Sequence, residues 1–301
     1  MNIIFKVLCL CVLVGSCASL SKTQLNSVRQ FAQISKDFSA YPSTMMRVLA
    51  QVRLKRSVYY ALTLSDAKLH LAELDSIQKQ RAFDAESVDK VDITFKIIDT
   101  YSQSLLLLTS DQFEKELAQR SQSFGVNIDS LVCKYNLIEG QAKVPLGLGG
   151  ALNQIMLLAG KQYLRTRQAK EIKKYVTLAD TLVGVMTYNL LRHLESAHIA
   201  DLIQGEERAV SQSYLSYLRL RHPVSLEHDS DYLEMIHQLH EIKTLQRETI
   251  VATRALRVAH HKLFLSVQKR KDLKAHVEEL QLLAAAVGGL KESIEKISKT
   301  K

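Results

Sequence analysis

The chain has 301 residues, 47% of them hydrophobic, and 40 lysines and arginines against 31 aspartates and glutamates give a formal charge of +9. That is enough chain and apolar content for one large or two small domains with a real core. Only three prolines and 11 glycines punctuate it, there is no tryptophan, and no strand-turn-strand pattern recurs, which argues against a β-sheet fold and for helix.

The first sixteen residues carry the three parts of a secretory signal. Lys6 supplies the positive charge, Val7 to Val14 is almost wholly apolar, and Gly15 and Ser16 are small. The apolar run falls short of the roughly 20 residues that a spanning helix needs. Val14-Gly15-Ser16-Cys17 then places a small residue before a cysteine and an aliphatic residue two places further back. This stretch resembles the lipobox of bacterial lipoproteins. The resemblance implies cleavage before Cys17, diacylglycerol on its sulfur and usually acylation of the new amino group. It also implies a lipid-anchored place in the bacterial cell envelope. With Ala18 after the cysteine, the outer membrane is favoured where there are two membranes. Several acyl chains anchor stably, since each buried methylene contributes about 0.8 kcal/mol. The alternatives are a cut after Ser19, giving a secreted protein, and an uncleaved membrane anchor.

Loss of residues 1–16 removes one charge, Lys6, and leaves a mature charge of about +8. A basic envelope protein faces lipid phosphates and anionic wall polymers, and export argues against nucleic acid as partner. Of the four cysteines, Cys9, Cys11, Cys17 and Cys133, the resemblance implies that the first two leave with the signal and that Cys17 is acylated. Cys133 alone remains, so the mature chain has no internal disulfide and must hold together by packing. Its place in Ile128-Asp129-Ser130-Leu131-Val132-Cys133 reads as a buried helical face.

Residues 17–301 read as a single elongated all-α domain with a sub-boundary near 136–150. Leu20 to Phe38 is a first amphipathic helix through Leu25, Val28, Phe31 or Ala32, and Phe38. Pro42 breaks it and Ser43 is placed to cap the next helix. Thr44 to Phe83 has no proline or glycine, and Leu69 and Ile77 extend its apolar stripe over about 60 Å of helix. Asp84 to Ser87 reads as a break. A helix follows to Leu108, and another from an N-cap at Ser110 to Tyr135. Asn136 to Gly150 is the clearest interruption. The apolar run 144–160 behind it reads as a buried helix or, by its layout alone, as the inserting hairpin of a membrane-perturbing helical protein.

Lys161, Arg165, Arg167, Lys170, Lys173 and Lys174 follow, with Glu171 as the only opposing charge. They form either a solvated face or a surface for lipid phosphates, worth about 1 kcal/mol per residue close to the bilayer. Further helices run past Asp180 to Leu218, with Pro223 as a stop, and from Asp229 or Ser230 to Leu290, with Gly288-Gly289 as a hinge and a loose tail from Lys291. The last stripe keeps heptad spacing, as coiled-coil packing requires. The whole is expected to be an elongated bundle of five to seven long antiparallel helices with coiled-coil-like packing.

Glu195-x-x-His198 and Glu234-x-x-His237 share the spacing of di-iron carboxylate bundles, but no Glu-bearing helix stands between them. His237-x-x-His240-Glu241 and His260-His261 offer two metal ligands at a time, where a site needs three or four. No nucleotide-binding glycine pattern or Gly-x-Ser-x-Gly elbow is present. The sequence therefore points to a lipid-tethered structural or interaction protein with no cofactor and an envelope protein partner or self-association. Membrane perturbation through 144–160 is the first alternative and a metal-dependent enzyme the second.

Overall fold

The computed structural model describes residues 20–41, 43–110, 128–138, 141–145, 147–148, 150–152, 154–155, 165–220, 225–268 and 273–299. It is an all-α bundle with no strand among these residues. Its long helices are α1 (Lys22–Ser39), α2 (Thr44–Leu62), α3 (Ala67–Leu108), α4 (Arg165–Leu194), α5 (Ala197–Leu220), α6 (Leu226–Gln268) and α7 (Leu273–Lys299). They pack into two compact units, each discontinuous in sequence. The first gathers Met1–Asp37, Ile97–Val185 and Leu256–Leu283; the second gathers Phe38–Lys96, Met186–Ala255 and Ala284–Lys301. The stretch 136–150 lies inside the first unit.

Side-chain caps set the starts of α1, α3, α5 and α6, whereas Ser43, expected to cap α2, makes no cap hydrogen bond. Ser21 and Gln24 form a reciprocal capping box: the Gln24 N–H donates to Ser21 Oγ at 3.1 Å, and the Ser21 N–H to Gln24 Oε1 at 3.0 Å. Asp66 Oδ1 accepts from the N–H groups of Lys68 and Leu69 at 2.8 and 3.0 Å. Ser196 and Ser225 do the same for α5 and α6 through the N–H groups of Ile199 and His228.

These caps correct the sequence reading. The expected helix over 44–83 ends at Leu62, where Thr63 Oγ1 donates to the Tyr60 carbonyl at 2.6 Å and Asp66 starts α3. The expected break at 84–87 is helical: Ser87 Oγ donates back to the Phe83 carbonyl, and Asp84 is held by Arg53 and Gln80. The expected run from Asp180 to Leu218 is broken at Glu195-Ser196, and Asp180 lies within α4. Gly288-Gly289 and the residues after Lys291 are helical as far as Lys299.

The core follows the helical period. In α6 the residues Ile242, Leu245, Ala252, Leu256, Ala259 and Leu263 are buried. With half-buried Thr249 they alternate spacings of three and four, the spacing of a heptad seam. In the first unit, the Asn136 side-chain amide exchanges two 2.9 Å hydrogen bonds with the backbone of Val144 and closes the interruption that follows the helical segment 128–136. Gly147 there takes a φ of +81°, open to glycine at no steric cost.

Candidate functional site

Several of the sequence-derived candidates fall outside the described residues: Cys17, Lys161 and, in the 144–160 run, Leu157 and Leu158. Arg165 and Arg167 open α4. Further along it Lys170 and Lys174 are exposed and Lys173 is half-buried. Lys174 is partly spent on buried Glu171, 3.1 Å away. Of the described apolar residues of the 144–160 run, Val144, Leu152 and Ile155 are buried in the first unit and Leu148 and Ala151 are half-buried. No helix among the described residues is long and apolar enough to cross a membrane. Cys133 is exposed, not buried: the buried face of its helix is carried by Ile128, Val132 and Tyr135 instead.

The two Glu-x-x-His pairs do not converge. Glu195 pairs with Arg254 at 2.6 Å, and Glu234 takes Lys55 at 2.6 Å and Gln238 at 2.8 Å, while His198 and His237 are exposed. Among the described residues no three metal-ligating side chains are grouped to hold an ion.

The structure assembles three polar clusters that spacing alone did not reveal. The first lies in the first unit. His260 is only 1% exposed, so His260-His261 is not a surface pair. His260 Nδ1 meets Asp180 Oδ1 at 3.1 Å and Nε2 meets the Tyr101 hydroxyl at 2.9 Å. Burial works to raise the Asp180 carboxyl, but the hydrogen bond and charge of His260, joined by His261, outweigh it and hold it below its ordinary value. Burial pushes the His260 imidazole down against the pull of Asp180. At neutral pH this gives a carboxylate beside a neutral ring. The carboxylate only accepts, so Nδ1 carries the proton and Nε2 accepts from Tyr101.

The order carboxylate, imidazole, hydroxyl is that of a nucleophilic triad. The terminal group rules that chemistry out here. The Tyr101 phenol is fully buried, stacks on Tyr175 at 5.5 Å, and is pushed further from ionisation by burial and by Tyr175 and Asp180. No substrate atom can reach it. The cluster is a satisfied core network that fixes one packing of the helices that carry it.

The second cluster joins α2, α3 and α5 in the second unit. Arg53 bonds Asp84 at 2.6 Å and Glu206 at 3.1 Å, and Arg56 reaches the other Glu206 oxygen at 3.1 Å. The third is aromatic. Tyr59 stands edge-on to Tyr214, Tyr217 and His228 with centroids 5.4–5.9 Å apart, and Tyr214 stacks on Tyr232 at 4.5 Å. The Tyr217 hydroxyl bonds His228 Nδ1 at 2.6 Å. Rings in direct contact leave no room for a guest cation, so this is packing rather than an aromatic cage.

No family model matches the chain, and neither a curated protein nor a solved structure does.

What remains as a candidate surface is the first half of α3. Across residues 67–90 only Ile77 and Asp84 are buried. Leu69, Leu71, Leu74 and Phe83 stand in solvent, Leu71 and Phe83 at 63% and 62% exposure. Beyond Ile77, Asp84 and the His70 ring on the Ala61 carbonyl, little of these six turns is tied to the fold, and large apolar side chains point outward on both sides of the buried strip, Leu71 and Leu74 on one side and Leu69 and Phe83 on the other.

Proposed function

We propose that the protein is a lipoprotein of the bacterial envelope, anchored by acylated Cys17, that acts by binding a partner protein along residues 67–90 of α3. The sequence Val14-Gly15-Ser16-Cys17 supports the anchor, as a resemblance to the lipobox. The exposed leucines and Phe83 of α3 carry the reading of function. The charge on that face selects the kind of partner. Apart from Asp84, which is buried against Arg53, residues 67–90 hold Glu73, Asp75, Glu86 and Asp89 against Lys68, Lys79, Arg81 and Lys90. An anionic bilayer is met best by a face of one basic sign. Mixed signs around spaced apolar side chains fit an amphipathic helix of another protein.

A photo-crosslinking residue placed at Leu71 or Phe83 of the full chain in membranes tests this, with the same residue at exposed Glu278 as control. A discrete heterologous product from 71 and 83 and none from 278 is the expected result. Products of twice the chain mass would assign the face to a second copy. Equal labelling at all three positions, or none at 71 and 83, would remove the proposal. Leu71→Asp is expected to abolish the product while changing stability by no more than about 0.5 kcal/mol, because the side chain is exposed.

A further inference from the structure

In the first unit, basic side chains gather around the end of α6. There Gln268 Nε2 donates to Thr177 Oγ1 of α4 at 2.6 Å, and Gln24 Nε2 of α1 donates to the Ser266 carbonyl at 2.8 Å. The two bonds set the start of α1 and one face of α4 against the last turn of α6. That face of α4 is basic. Lys170, Lys173 and Lys174 precede Thr177 by seven, four and three residues, the spacings that share one side of a helix. Lys170 and Lys174 are exposed and Lys173 is half-buried. Exposed Lys22 opens α1, and exposed Lys274 lies in the first turn of α7, which begins just beyond α6.

The neighbouring carboxylates do not cancel this charge. Glu171 is buried and pairs with Lys174 at 3.1 Å, so it is not presented outward. Asp180 is turned to His260 and His261. Glu278 and Glu279 of α7 come a turn after Lys274, about 6 Å further from its start. The course of the chain then indicates what the face meets. Five residues lead from Cys17 to Lys22, at most about 18 Å of extended chain. With Cys17 acylated, the start of α1 is held that close to the bilayer, and the lysine face packed beside it is presented to the same headgroups.

We infer that Lys22, Lys170, Lys173 and Lys174 form a contact face for the phosphates of anionic lipids, docking the first unit on the membrane that holds Cys17. The choice of a bilayer over other polyanions rests on the proposed anchor, but the face itself needs no acyl chain, so the two are tested apart. The Cys17→Ala chain, which cannot be acylated, is floated with vesicles of phosphatidylcholine, alone or with a quarter phosphatidylglycerol. The quantity read is the ratio of partitioning into anionic over neutral vesicles, which cancels any apolar contact of the leader. A ratio well above one is expected. It falls as salt rises from about 0.1 to 1 M and the Debye length shrinks from about 10 to 3 Å. Lys170→Gln with Lys173→Gln is expected to lower the ratio roughly twentyfold, about fivefold per lysine. Lys170→Gln alone, at an exposed position where the fold is kept, lowers it about fivefold. Lys68→Gln with Lys79→Gln removes the same charge from exposed residues of α3 and changes the ratio by less than about twofold. A ratio near one for the Cys17→Ala chain, or equal losses from the α4 and α3 pairs, would overturn the inference. Neither result bears on acylation, which is read from lipid labelling at Cys17.

Discussion

Glu206 illustrates how single residues govern the second unit. It is a buried carboxylate between Arg53 and Arg56, and Asp84 balances Arg53 from the other side. Two arginines, themselves only 17% and 22% exposed, are left facing each other if it is removed. Breaking one partner of a buried ion pair is strongly destabilising, because the remaining charge stays desolvated. Glu206→Ala is therefore expected to cost about 2–3 kcal/mol in urea denaturation. A change under about 0.5 kcal/mol, the size of an ordinary surface substitution, would show that solvent already screens the network.

His276 makes a prediction in pH. It is 0% exposed, with its ring against the Ser27 and Ala259 backbone. Burial pushes its pKa down from 6.5 to about 4, with the charge of His260 adding to the fall; the Ser27 and Ala259 backbone only partly offsets it. In the unfolded chain the ring takes a proton near pH 6.5, while in the folded chain it stays neutral until about pH 4. Its share of stability is thus intact above pH 6.5, falls as the pH drops from there to about 4, and levels off below. The loss over that window is about 3 kcal/mol. His276→Leu should flatten this part of the stability-pH curve; an unchanged slope would contradict the assignment.

At the scale of helices, the caps decide more than the breakers. Asp66 holds two N–H groups at the start of α3, so Asp66→Ala should destabilise by about 1 kcal/mol, read in the same denaturation experiment. A Cβ at Gly288 would meet nothing within 4 Å, and the residue lies inside α7. Gly288→Ala is therefore expected to stabilise by about 0.5–1 kcal/mol, and a loss of stability would mean that α7 bends there. The same contrast explains what the sequence disclosed. Apolar residues three and four apart revealed α1 and most of the core, because burial leaves a periodic trace, but the single run expected from Asp229 or Ser230 to Leu290 is two helices, α6 and α7. The ends of α2 and α4 left no proline or glycine. They are made by Thr63, Asp66 and Ser196, residue types equally at home within a helix when their side chains bond back, as Ser87 does to Phe83. Leu69 was counted into a stripe by spacing, yet it is exposed, because α3 begins afresh at Ala67 and turns a different face inward.

For the whole molecule, fold class was legible and tertiary partnership was not. The helical period of α6 could be read from one chain, although Val251, which looks apolar, is 45% exposed and Ala252 is buried in its place. The union of Asp180, Tyr101 and His260, contributed by three helices, could not: each looks ordinary beside its sequence neighbours. His260 resembled half of a surface metal pair until Tyr101 and Asp180 closed around it. The α3 face was hidden for the same reason, since an unpartnered leucine has the same letter as a buried one. The proposed anchor would set the surplus of basic residues over the chain against an anionic membrane, while the proposed partner surface on α3 carries both signs.

The anchor is the part of this account on which envelope partners depend. Metabolic labelling with a palmitate analogue, comparing wild type with Cys17→Ala and followed by membrane fractionation, tests it most directly. Label in the wild type that disappears in Cys17→Ala, together with release of the variant from the membrane fraction, is the predicted result. Absence of label from both would contradict it, leaving a helical protein whose partners must be sought elsewhere.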